Sequence, residues 1–489
     1  MKAATLGPKA NFLFRPKGIA TAICIIVVAW AIMRSNLMMA VFMAVIVLFI
    51  IGLKRPLWAL TAVLVAQLTI TSFMVATPFM TISLRLLLIC VTLLLLREPI
   101  ARREVDLGPG ARTLVIPMLL FIGISIIGDM VNAVGFDYIF KNARNLLTGL
   151  LFIILLPAIV YNVKQLKALC SVLLLVTIAS AIIGVLQHYN IFGMGQATLL
   201  QGFMNVLGRV PGMGETELEL AYILPATFMV IGTVFLCRGI KSHDRRLLLI
   251  PALPIVMALY FTYTRSALFA LACGVISVFF FMKTRIKWQI IMIVIFLLVG
   301  YLGTSDMLGQ AYLGGRSERG QEGSSVARAI LLQAGVAIAI DNPIFGIGGG
   351  RFKEVSPEYA YKVDEALIGW EANRYWTYRT LGNDEPHNDF VTTWLSYGSI
   401  ALAVFFWIHL LIIRNYMIAY RTAKNRFVKG LAVGLAAAFI TYVANSFYHN
   451  LLATLPLLWI LAGFSLVTVK LAAGDRKNGN ATAVAQRRN

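Results

Sequence analysis

Two arginines and a histidine stand where apolar sequence gives way to polar sequence, and their chemistry sets the first question. Arg265 lies in Tyr263-Thr264-Arg265-Ser266, a tight turn between two long apolar runs. A guanidinium at such a boundary is costly unless it is paired or faces water, so its default reading is functional. The alternative is an interfacial anchor that snorkels to the headgroups. Arg209 lies in a polar segment, His188–Glu219, with Glu215, Glu217 and Glu219 downstream. There a structural ion pair competes with a ligand contact. His387 falls in Pro386-His387-Asn388, where a long polar block beginning near Thr304 ends and apolar sequence resumes. An imidazole accepts a proton near neutral pH and can serve as a general base, a structural hydrogen bond being the ordinary alternative. Asp384, Glu385 and Asp389 lie beside it and are expected to orient the ring or raise its pKa.

Other candidates are weaker. His188 and His449 are expected on the same side as His387, but no HxxxH or HxH spacing supports a metal site, and neither metal nor cofactor is expected. Gly346-Ile347-Gly348-Gly349-Gly350 resembles a phosphate loop but lacks the strand–turn–helix context, and reads as a turn after the helix stop at Asn342-Pro343. Arg85, inside an apolar run, either snorkels or lines a lipid access path. The five cysteines (Cys24, Cys90, Cys170, Cys237, Cys273) fall in or beside apolar runs without a CxxC pair. Neither a disulfide framework nor a thiolate site follows.

The elements that must position these groups follow from composition. The chain has 489 residues, 59% hydrophobic and only 13% charged, with a mean hydropathy of +0.80. A soluble domain carries about a quarter charged residues, so an all-α, polytopic transmembrane bundle is expected. We count about fourteen apolar stretches of spanning length, near residues 18–33, 36–53, 57–75, 79–96, 113–133, 145–161, 168–187, 219–237, 247–262, 266–282, 288–303, 390–413, 428–446 and 451–469. The expected organisation is transmembrane helices over 1–303, a large outer loop containing helices over 304–389, transmembrane helices over 390–470 and a basic tail over 471–489. The tail is expected to lack structure. In the outer block, Ser324-Ser325 reads as a helix start and Val326, Ile330, Ala334 and Ile338 as one apolar stripe, which predicts a helix packed on the membrane domain. Tyr359–Tyr378 is aromatic-rich and suits a cover over a cavity.

The net charge of +21 invites a nucleic-acid reading until it is mapped. With the N-terminus cytoplasmic and the spans alternating, most of the 43 Lys and Arg fall inside and most of the 22 acids outside. The bias is carried by short connections such as Lys54-Arg55, Arg245-Arg246 and Lys283–Lys287, the pattern that sets membrane orientation. No nucleic-acid partner is implied. Both termini are expected in the cytoplasm and the long block outside, which is periplasmic in a Gram-negative cell. Lys2, Lys9, Arg15 and Lys17 precede the first apolar run without a small-residue cleavage site, so no cleavable signal is expected.

Arginines on two outer segments at the lipid–water boundary suit a lipid-linked diphosphate, whose charged headgroup lies at that depth. Guanidinium forks match phosphate oxygens bidentately and would stabilise the diphosphate as a leaving group.

The order of motifs resembles the O-antigen ligase and Wzy-type polymerase superfamily of membrane glycosyltransferases. The resemblance rests on Arg209-Val-Pro-Gly, Thr264-Arg265-Ser266, Arg328, Asp341-Asn342-Pro343-Ile344-Phe345-Gly346-Ile347-Gly348, Pro386-His387-Asn388-Asp389-Phe390 and Tyr397-Gly398. It covers roughly residues 205–400 and implies a C-type glycosyltransferase (GT-C) membrane fold. It implies a glycan donor linked to undecaprenyl diphosphate, used at the outer face of the inner membrane without a metal, with inversion. Arg209 and Arg265 would bind the diphosphate, Arg328 would assist, and His387 would activate the acceptor hydroxyl. Ligases and polymerases differ in acceptor, lipid A–core or a second lipid-linked glycan, and protein O-oligosaccharyltransferases are a third relative. A lipid-glycan flippase or transporter is the alternative of another class. It predicts inverted repeats and charged mid-membrane helices, and no such repeat is visible.

Overall fold

The computed structural model describes residues 56–69, 108, 110–191, 210–213, 217–237, 250–282, 317–363, 380–450, 452 and 456–488. The chain divides into two compact units, Met1–Val105 and Asp106–Asn489. The first contributes one described helix, α1 (Pro56–Thr69), within an expected span. The expected spans near 18–33, 36–53, 79–96 and 288–303 lie outside the described residues, as do Arg85, Cys24 and Cys90.

In the second unit the described helices are α2 (Ala111–Val131), α3 (Phe136–Ile159), α4 (Val163–His188), α5 (Glu217–Leu236), α6 (Ala252–Phe261), α7 (Arg265–Phe281), α8 (Ser317–Asp341), α9 (Phe352–Val355), α10 (Asp389–Thr422), α11 (Arg426–Ser446) and α12 (Leu457–Arg488). A 3-10 turn covers Ser356–Lys362. Seven of these helices (α2, α3, α4, α5, α10, α11 and α12) have a segment long and apolar enough to cross a membrane, and α6 and α7 are shorter apolar helices. The protein is a multi-pass helical membrane protein. Its apolar runs fold as helices because a bilayer offers backbone N–H and C=O groups no partner, and a helix satisfies them within one segment. Leu119, Ile127, Leu175, Phe280, Trp407 and Leu410 point outward and are exposed, as a lipid-facing surface requires. Asparagine caps start three helices: Asn162 on α4, Asn388 on α10 and Asn425 on α11, each side chain accepting from a backbone N–H of the first turn.

Helix α11 is the hub. It packs against α5 and α7 on one hand and α10 and α12 on the other, and α2 and α3 join through α10 and α12. Its small residues permit this. A Cβ on Gly434 would lie 2.8 Å from the Val230 Cα, and one on Gly430 3.2 Å from the Thr233 carbonyl oxygen, so α5 and α11 approach backbone to backbone.

One end of the bundle collects the C-terminal ends of α4, α6 and α11 and the N-terminal ends of α7 and α10, joined by contacts among their flanking residues. The basic residues Lys164, Lys167, Arg421, Lys424, Arg426 and Lys429 sit near helix ends that face the other way. Helix α12 runs on to Arg488 where an unstructured tail was expected. No proline follows Pro456, and Ala, Arg, Lys and Gln are good enough helix formers to extend the ladder past the apolar segment.

The polar block before α10 is anchored by α8. Ile330, Ala334 and Ile338 of the expected stripe are fully buried and build a small core with Phe352, Leu381 and Leu395. The helix begins at Ser317, ahead of Ser324-Ser325, because Glu, Arg and Gln upstream favour continuation and interior serines cost little. It stops at Asp341 before Asn342-Pro343, as expected.

Candidate active site

The turn after α6 carries Arg265. Thr262 and Thr264 are buried, Tyr263 has φ 49°, and Arg265 opens α7 as an exposed side chain. The backbone reverses in three residues, so the arginine stands at the end of an apolar helix. Next to it, Ser266 is buried and its Oγ lies 3.0 Å from Nε2 of His449, in the connection between α11 and α12. The His449 ring meets the His387 ring edge to face, with centroids 6.2 Å apart, and the Tyr222 ring of α5 at 5.5 Å. His387 has φ 51°, a conformation uncommon outside glycine that is held by its neighbours. Pro386 before it is buried, and Asn388 after it caps α10 and donates from Nδ2 to the Phe447 carbonyl at 3.2 Å.

The electrostatics differ from the expectation in sign. Burial of the half-buried His387 ring, then the nearby Arg328 guanidinium, push its pKa below the ordinary value of 6.5. The Asp384 carboxylate works the other way, and Lys353 adds to the depression. Cation and burial outweigh the acid, so the pKa is lowered where a rise was expected. The ring is therefore neutral at pH 7 and able to accept a proton. Asp389 Oδ1 accepts from the Leu452 N–H at 3.0 Å and its Oδ2 from the Tyr442 hydroxyl at 3.3 Å, so Asp389 fastens α10 to α11 and the connection beyond. Glu385 is held above the usual carboxylate range by burial, with Lys353 opposing and Asp384 reinforcing the shift.

The outer block is docked by a break in α10. Gly398 has φ 83° and ψ 178°, which interrupts the helix and leaves the Leu395 and Ser396 carbonyls without partners in their own ladder. They accept instead from the N–H groups of Ile347 at 2.8 Å and Gly348 at 3.0 Å, while the Ser399 N–H donates to the Pro343 carbonyl at 2.7 Å. Gly349 N–H donates to Asp129 of α2 at 2.7 Å, Asn142 of α3 bridges Asp129 and Tyr397, and Arg351 donates to the Asn132 carbonyl at 3.0 Å. The glycine run is a turn, as its sequence context implied, and the structure adds that it docks on α10 and α2. It carries α8, and with it Arg328, to the N-terminal part of α10.

Of the four arginine and histidine candidates, Arg265, Arg328 and His387 gather at this end. Arg209 lies outside the described residues; the following Val210 is buried against α4, α5 and α6, and Gly212 exchanges two hydrogen bonds with the Gln187 side chain. The aromatic cover expected over Tyr359–Tyr378 falls mostly on residues 364–379, outside the described set. His188 stacks on Phe261 with centroids 3.8 Å apart. Among the described residues, no three His, Cys, Asp or Glu side chains are grouped to hold a metal ion. The contact of His449 with Ser266 and His387 is not evident from sequence, where the one signal is a histidine in a short polar interruption between two spans.

Residues 250–406 match the Wzy_C family model, described as O-antigen ligase. The match bears out the resemblance over the segment holding Arg265, Arg328, His387 and Gly398, and Arg209 lies upstream of it. No curated protein matches the chain.

Proposed function

We propose, on the premise that residues 250–406 are an O-antigen ligase family segment, that this protein transfers a glycan from undecaprenyl diphosphate to an acceptor hydroxyl. The reaction would occur on the periplasmic face of the inner membrane, with both termini cytoplasmic and on a GT-C-type scaffold. The observation that carries the reading is the placement of Arg265 and His387 at one end of an apolar bundle, linked through Ser266 and His449, with Arg328 near the His387 ring. His387 takes the proton of the acceptor hydroxyl as its oxygen attacks the anomeric carbon. The bond from that carbon to the diphosphate breaks on the opposite face, so the configuration inverts. The electron pair leaves on the diphosphate oxygen, where Arg265 and Arg209, with Arg328 nearby, offset the growing charge. Arginine suits this role because its charge persists at every working pH and its fork meets two phosphate oxygens. No metal is required in this scheme, since the guanidinium groups supply the charge.

The acceptor assigned is lipid A–core, as in a ligase, with a second lipid-linked glycan as the polymerase alternative. The test is transfer by purified protein from a labelled undecaprenyl-diphosphate glycan, with and without lipid A–core. Product only with lipid A–core supports the ligase, and longer lipid-linked glycans from donor alone identify a polymerase. Donor that crosses a vesicle membrane unconverted would sink the transferase reading in favour of a flippase.

A further inference from the structure

We propose that His449 is a positioning residue of this site, tying the turn that bears Arg265 to the segment that bears His387. The inference rests on the transfer reading above and adds a part to it. His449 is only 5% exposed, and its Nε2 meets the Ser266 Oγ at 3.0 Å in the first turn of α7. The connection that holds it is gripped from two sides. Toward α10, Asn388 Nδ2 donates to the Phe447 carbonyl at 3.2 Å, the Thr392 hydroxyl donates to Asn450 Oδ1 at 3.0 Å, and the Leu452 N–H donates to Asp389 Oδ1 at 3.0 Å. Toward α7, Tyr448 meets Phe269 edge to face with centroids 5.8 Å apart, and His449 meets Ser266.

Residues 447–450, with Leu452, are therefore a strap between the two elements that carry the proposed clamp and the proposed base. Those elements, α7 and the start of α10, are far apart in sequence and have no loop in common. The strap fixes their separation. Ser266 follows Arg265 directly, so holding Ser266 fixes the helix start from which the guanidinium projects. The His449 ring also closes the flank of His387 at a centroid distance of 6.2 Å. Either tautomer of His449 makes one hydrogen bond with the serine hydroxyl, as acceptor or as donor. The function inferred for it is geometric and does not depend on its titration.

The test uses the full chain purified in detergent, with a fluorescent undecaprenyl-diphosphate oligosaccharide as donor and lipid A–core as acceptor. His449→Phe keeps a ring but loses the hydrogen bond. It should lower kcat by roughly a hundredfold, the scale of a 1 Å misplacement, with KM for the donor little changed. His449→Gln places an amide where Nε2 stood and should recover most of kcat, with the acidic limb of the pH profile where the wild type has it. A His449→Phe protein at wild-type rate would overturn the proposal. So would a His449→Gln protein as impaired as His449→Phe, since the ring's own proton would then matter. If His449→Phe does not accumulate, Ser266→Ala takes its place in the comparison. A melting-temperature cycle with Ser266→Ala, His449→Phe or His449→Gln, and the double variants reads the tie without any substrate: non-additive losses support it, additive losses overturn it. A wild-type protein inert toward the donor would instead remove the transfer reading and leave the strap to be judged by that cycle.

Discussion

Arg265 and His387 need opposite things from their surroundings. The arginine must stay charged and reach a charged group, and an exposed position at the end of an apolar helix gives it both. Arg265→Ala should lower transfer by roughly a hundred- to a thousandfold, the cost of removing a group aimed at developing charge. Membrane insertion should be unaffected, and assay of the purified variant beside its melting curve separates the two. The histidine must be uncharged before it can act. Burial and Arg328 lower its pKa, so the rate should climb with pH through a midpoint below 6.5 and then level off. Removing the Arg328 charge takes away a penalty on the imidazolium. Arg328→Ala should therefore raise the pKa and move that limb to higher pH. Asp384→Asn removes a group that favours the imidazolium and should move the limb to lower pH. A pH–rate profile that shifts the same way in both variants would contradict the assignment of His387 as the titrating base.

Among elements, the decisive feature is the interruption of α10. A helix that continued through residue 398 would keep the Leu395 and Ser396 carbonyls for itself, and the turn 346–348 would have nothing to dock on. A Cβ at Gly398 would collide with the Ile344 carbonyl oxygen, and φ 83° is itself unfavourable for a side chain. Gly398→Ala should destabilise the protein by roughly 1–3 kcal/mol or more. It should also expose the outer block to protease at low enzyme concentration while the spans stay protected. Asp389→Ala should act on the neighbouring joint. It leaves the Leu452 N–H and the Tyr442 hydroxyl unsatisfied, at about 1–3 kcal/mol each where burial is complete. A melting temperature unchanged in either variant would show that these joints carry no stability.

At the scale of the whole molecule, the arrangement divides labour between the two ends of the bundle. One end bears the proposed site and its docked outer block, and helix ends facing the other way bear lysines and arginines. The charge bias of the connections predicts that the positive end stays in the cytoplasm and that the proposed site faces the periplasm. Tyr361 is 78% exposed on the outer block. A Tyr361→Cys protein in a cysteine-free background should react with a membrane-impermeant maleimide added to intact spheroplasts. Labelling only after lysis would invert the topology and remove a lipid-linked periplasmic donor from consideration. The cysteine-free background should itself keep transfer activity, since Cys170, Cys237 and Cys273 are free and unclustered among the described residues.

Hydropathy alone determined the fold class and most described helix positions, because a bilayer leaves an apolar run of spanning length no alternative to a helix. The boundary positions of Arg265 and His387, the stop after Asp341 and the turn at the glycine run were legible for similar reasons: each depends on its immediate neighbours in sequence. What only the tertiary structure decided depends on residues far apart in the chain. The sign of the His387 pKa shift is set by Arg328 and by burial, neither of which the adjacent acids reveal. The bonds of Asp389 to Leu452 and Tyr442 likewise join residues far apart in the chain. His449 gained its place beside Ser266 only when α11 brought α7 and α10 to its two sides. Local sequence specifies which groups can reach the membrane surface, and helix packing specifies which of them meet there.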